Sequence, residues 1–129
     1  MTPYQKRIHK DRNKAVAWAV KHAQRFPEAE PYIATSPETA VHYAIDVIKG
    51  RFPEAEEVIA KDPRLAYYYA INVLKGRFPE AEPAIAKNLN GADQWDYHMD
   101  PWWAKEYLKA FPQAKLEWAM NGWIDWLDL

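Results

Sequence analysis

Between residues 37 and 49 the chain is apolar at Ala40, Val41, Tyr43, Ala44, Ile45, Val47 and Ile48 and interrupted at His42, Asp46 and Lys49. Steps of four and three place the interruptions on one stripe of a helix, with apolar positions around most of the remaining circumference. That is the pattern of a helix sandwiched between neighbours. Residues 63–75 repeat it, with Tyr68, Asn72 and Lys75 at the corresponding places. The stripe is expected to face solvent or a partner.

The unit Arg-Phe-Pro-Glu-Ala-Glu recurs at 25–30, 51–56 and 77–82, a period of 26 residues, and each copy is followed by Ile33-Ala34, Ile59-Ala60 or Ile85-Ala86. A fixed period of this length is the signature of a repeat array, whose usual product is an extended binding surface. Each unit predicts two helices. Pro27, Pro53 and Pro79 suit the first helical position, and the Glu residues behind them suit the positive end of the helix dipole. This gives a first helix over roughly 53–61 in the second unit, while Pro31 and Pro83 delay or bend its counterparts. Ser36-Pro37 and Asp62-Pro63 predict N-caps for a second helix over about 37–49 and 63–75, ending with Gly50 and Gly76 as left-handed caps. Ala19, Ala44, Ala70 and Ala104 fall at one register, where a small side chain permits close helix approach.

The expected fold is therefore all-α, a short αα-repeat solenoid of 26-residue period within a single domain. Residues 1–24 form a basic N-terminal cap, 25–50 and 51–76 are full repeats, and 77–129 is a degenerate repeat with an insertion and a Trp-rich C-terminal cap. The insertion puts about seven extra residues into 88–100. In the flanks, Trp18 aligns with Tyr43, and Trp103, Ala104 and Leu108 align with Tyr69, Ala70 and Leu74.

Composition narrows the function classes. The 129 residues include no Cys, which removes disulfides and thiol chemistry, and only four Gly, which leaves little for phosphate-binding loops. No apolar stretch reaches the roughly 18 residues of a membrane span, and the N-terminus lacks the apolar segment of a signal peptide. A soluble, intracellular protein is expected. Net charge is −1, but residues 1–25 hold seven Lys/Arg against one Asp and 91–129 hold three against seven acids. One end is basic and the other acidic.

Candidate chemistry is sparse. No nucleophile, metal-protease or dinucleotide motif is present, and the signature Glu pairs, recurring in every unit, fit helix-start electrostatics; no catalytic residue, cofactor or metal is expected. Asp93, Asp96, His98 and Asp100 offer ligand atoms, but not at calcium-loop spacing, and Asp100 before Pro101 is explained by capping. The candidates for partner binding are the residues that do not repeat. Tyr68 and Trp102 put large aromatics on an otherwise polar stripe, with His42 at the equivalent place; Glu106 follows, and Trp123 and Trp126 lie in the terminal Trp-Ile-Asp-Trp-Leu-Asp-Leu segment. Burial of these aromatics under the insertion or the C-terminal segment is the competing expectation.

The string 69–82, Tyr-Ala-Ile-Asn-Val-Leu-Lys-Gly-Arg-Phe-Pro-Glu-Ala-Glu, resembles a short tandem helical repeat of uncharacterised proteins of tailed bacteriophages and prophages. The resemblance covers about 25–87. It implies expression in the cytoplasm of an infected bacterium and a non-catalytic protein-binding module, an inhibitor of a host or defence complex such as a CRISPR effector by surface occupation. Two alternatives stand beside it: a nucleic-acid-binding accessory protein using the basic end, and a self-assembling phage component joined basic end to acidic end.

Overall fold

The computed structural model describes residues 1–89 and 102–124. Among the described residues the chain is helical throughout, without strands. A capping box opens α1 (Pro3–Ile8): Thr2 Oγ1 accepts the Gln5 amide at 3.1 Å and Gln5 Oε1 accepts the Thr2 amide at 2.8 Å. Helix α2 (Arg12–His22) follows Asp11, whose carboxylate accepts the Asn13 and Lys14 amides.

The signature prolines behave as their missing amides require. Pro53 opens α5 (Pro53–Ala60) directly. Where a second proline stands four residues on, it cannot donate back to the first, so the Glu30 amide makes the tighter bond to the Pro27 carbonyl instead. The first unit accordingly starts as a 3-10 turn, Pro27–Ala29, before α3 (Glu30–Ile33), and the third as Pro79–Ala81 before α7 (Glu82–Leu89).

Helices α4 (Pro37–Tyr43) and α6 (Pro63–Tyr69) each continue into a π turn, Ala44–Ile48 and Ala70–Leu74. The left-handed residues that end them are Lys49 (φ 57°) and Lys75 (φ 51°), not Gly50 and Gly76. The widened turn is the cause. The amides of Lys49 and Gly50 converge on the Ala44 carbonyl, and the reversal has to fall at Lys49 for the Gly50 amide to reach it. The N-caps also diverge. Asp62 Oδ1 accepts the Leu65 amide at 3.1 Å as expected. Ser36 makes no capping bond, and Thr39 Oγ1 instead donates to the Ile33 carbonyl at 2.8 Å.

The main packing runs from α2 to α4, α4 to α6 and α6 to α8 (Trp102–Ala110), with α3, α5 and α7 wedged between them and α9 (Gln113–Met120) closing on α8. The signature supplies the core: Phe26, Phe52, Ala29, Ala55, Ala81, Ile33, Ile59 and Ile85 are fully buried and Phe78 nearly so. Burial of each Phe or Ile is worth roughly 1.5–3 kcal/mol relative to exposure.

A hydrogen-bonded clamp accompanies each buried Phe. Arg25 binds Glu30 through two nitrogens, both at 2.9 Å; the Tyr43 hydroxyl donates to Glu30 at 2.5 Å and accepts the Phe26 amide at 2.8 Å. Arg51, Glu56, Tyr69 and Phe52 repeat this, as do Arg77, Glu82, Tyr107 and Phe78. The second signature Glu is therefore a clamp residue, and helix-start electrostatics does not account for it. Leaving the buried Phe amide unpaired would cost about 1–3 kcal/mol.

The clamp also corrects the alignment of the last unit. Tyr107, not Trp103, takes the part of Tyr69. It sits 29 residues beyond its Phe instead of 17. The chain between α7 and α8 is thus longer than the spacing of Phe-Pro pairs suggests, and α8 makes up the difference by ending at Ala110, three residues after Tyr107, without a π turn. Glu106 consequently stands at the register of Tyr68, and Trp102 lies one turn earlier.

Candidate functional site: an aromatic cluster beside a polar stripe

Exposure follows the periodicity of the sequence. His42, Asp46, Lys49, Asn72 and Lys75 are exposed, while Ala40, Val41, Tyr43 and Ala44 are buried. The polar stripe is largely self-satisfied. His42 Nε2 lies 2.8 Å from Asp46 Oδ2, one turn on, and Asn72 Nδ2 donates to the Tyr68 carbonyl at 2.9 Å.

Tyr68 and Trp102 meet despite the misaligned register. Their ring centroids are 5.9 Å apart at 67°, and Tyr67 joins both, 5.5 Å from Tyr68 and 5.6 Å from Trp102 in an edge-on contact. Trp103 continues the cluster, 5.8 Å from Trp102. Edge-to-face pairs of this kind are worth about 0.5–1.5 kcal/mol beyond the area they bury, and Tyr67 and Tyr68 are half-buried against the core. Trp102 keeps 37% of its surface exposed while Trp103 is buried. The Trp103 Nε1 donor has no acceptor among the described residues.

Glu106 sits one turn beyond Trp102 and accepts a hydrogen bond from Lys109 at 3.1 Å. Burial, the Glu106 charge and Tyr68 together push the Tyr67 phenol up from its ordinary value. The sequence pattern does not single out Tyr67, because it belongs to the apolar side of α6. The run Tyr67-Tyr68-Tyr69 is the available signal: three adjacent positions on a helix span about 200°, so one of them always borders the exposed stripe. His42 makes no ring contact with the cluster. Trp123 lies apart from it, half-buried against the core, with its amide donating to the Trp118 carbonyl at 2.8 Å. Trp126 and the Asp93, Asp96, His98 and Asp100 set lie outside the described residues, within which no group of three or more potential metal ligands occurs. No described helix is long and apolar enough to cross a membrane.

The chain matches no family model, no curated protein and no solved structure.

Proposed function

We propose that the chain is a short αα-repeat solenoid of 26-residue period that serves as a non-catalytic protein-binding module, with Tyr67, Tyr68 and Trp102 at the centre of its binding face and Glu106 at the rim. The observation that carries this reading is the edge-on contact between Tyr68 and an exposed Trp102. Aromatic anchors of low conformational entropy, ringed by polar groups, are the usual energetic centre of a protein interface. The repeated clamps support the scaffold role, since they fix the helices through residues that leave the stripe unoccupied. The resemblance to phage repeat proteins makes a bacterial host or defence complex the first class of partner to test, blocked by occupation of its surface. Head-to-tail assembly is less favoured: the described acids of the C-terminal end, Glu106 and Glu117, already pair with Lys109 and Arg77.

The test is capture of a host complex from bacterial lysate after nuclease treatment, followed by titration of the purified complex with the wild type and with Tyr68→Ala/Trp102→Ala. The double substitution is expected to weaken binding at least 30-fold, on the order of 2 kcal/mol, with far-UV circular dichroism unchanged. Unaltered affinity would remove the aromatic cluster from the interface.

A further inference from the structure

The basic end of the molecule carries a second feature, independent of the aromatic face. Of the seven Lys/Arg in 1–25, only Arg25 pairs with a carboxylate among the described residues. Asp11, the one acid of this segment, is spent on the Asn13 and Lys14 amides. Six cations therefore stand without a carboxylate partner, five on α1 and α2 and Lys10 in the turn between them.

They are not spread evenly. Between α1 and α2 runs a groove of about 620 Å³ whose lining includes Tyr4, Lys14, Trp18, Lys21 and His22. Trp18 stacks on His22 at 4.3 Å and 22°, forming a flat aromatic wall. Tyr4 is 49% exposed, with the Arg7 guanidinium 5.6 Å from its ring centre. Arg7 also lines a second cleft with Lys10, Asp11, Arg12, Tyr32 and Thr35. The groove thus joins two lysines of α2 to the half-exposed ring of Tyr4 on α1.

We propose that this groove binds a single-stranded nucleic acid segment, with Lys14 and Lys21 on phosphates and Tyr4 stacked on a base. Charge alone would suit any polyanion, but the exposed ring selects among them. Bases in a duplex stack on one another, whereas an unpaired strand offers their faces to aromatic side chains, and a basic groove tracks its backbone.

The experiment is fluorescence polarisation of labelled 12-nucleotide oligo(dT) and oligo(U), against a 12-base-pair duplex and a polyglutamate peptide of equal length, over a salt series. One or both single strands should bind more tightly than the duplex and the peptide. Tyr4→Ala should weaken single-strand binding about fivefold or more and leave the salt slope in place, while Tyr4→Phe retains wild-type affinity. Lys14→Gln with Lys21→Gln should reduce the magnitude of the log–log salt slope by about 1.4, roughly 0.7 for each phosphate no longer neutralised. Thermal melts of each variant check that the helices persist. Equal affinity for strand and duplex, no effect of Tyr4→Ala in a folded variant, or no binding at low salt would each overturn the assignment. Tighter binding of polyglutamate would overturn it in favour of an acidic protein partner.

Discussion

The second and third signatures share Arg-Phe-Pro-Glu-Ala-Glu letter for letter, yet their clamps differ in kind. In the second, Arg51 is 63% exposed and contributes to one carboxylate. In the third, Arg77 is 21% exposed and binds Glu117 of α9 at 2.7 Å as well as Glu82. Glu82, nearly buried, accepts from Arg77, Tyr107 and the Trp118 indole, the last at 3.1 Å. Trp118 in turn stacks on Tyr107 at 5.6 Å and 16°. An identical motif is thus a surface clasp in one place and a closing hub in the other. The difference at the clamp comes from α9, which supplies two extra partners, Glu117 and Trp118.

The contrast between the two clamps is largest at the central acid. Glu82→Ala removes the acceptor of the buried Tyr107 phenol and Trp118 indole and one of the two carboxylates of Arg77, and should cost about 3–5 kcal/mol in denaturant unfolding. Glu56→Ala removes the acceptor of the Tyr69 hydroxyl and the carboxylate of the exposed Arg51, and should cost about 1–3 kcal/mol. Equal losses would mean that α9 adds nothing to the third clamp.

Acid should act on all three clamps together. Burial works against the charges on Glu30 and Glu82, but the hydrogen bonds from Arg and Tyr outweigh it. At Glu56 the Arg51 bond leads and burial opposes it. All three carboxyls are held below their ordinary value, so their stabilisation is complete above the unfolded pKa of about 4.3 and is lost as pH falls through the folded values. The melting temperature should be flat from pH 7 to about 5 and fall below that, less steeply in Glu56→Gln. At the alkaline end the sign reverses for Tyr43, which burial and the Glu30 bond push up to about 12. Its contribution is present below the unfolded phenol value and lost as pH climbs through about 12.

The smallest contrast lies between the N-caps of α4 and α6. Asp62→Ala should cost about 1 kcal/mol through loss of the bond to Leu65, whereas Ser36→Ala, which loses no capping bond, should leave the melting temperature within error.

Much of this architecture was legible from residues. The residue pattern announced the proline helix starts, the delay of α3 and α7 imposed by Pro31 and Pro83, the Asp62 cap and the exposed side of α4, because each depends on backbone chemistry or periodicity within a dozen residues. The clamp was harder to see. Arg51 and Glu56 are neighbours in sequence, but Tyr69 reaches them only because α6 folds back on α5, bringing together residues 13 positions apart. The candidate site was legible in part: Tyr68 and Trp102 do meet, though not at equivalent registers, and Tyr67 entered unannounced.

By itself, then, the sequence determined that the chain is helical, where helices begin and which sides of them are apolar, since capping, proline geometry and 3.6-residue periodicity are properties of short segments. Only the tertiary structure decided which tyrosine closes the third clamp, that the second signature Glu is a buried acceptor, and which aromatics gather at α6 and α8. Those outcomes depend on how far an insertion carries the chain before it packs again, and side-chain contacts across helices are set by that packing rather than by spacing along the chain.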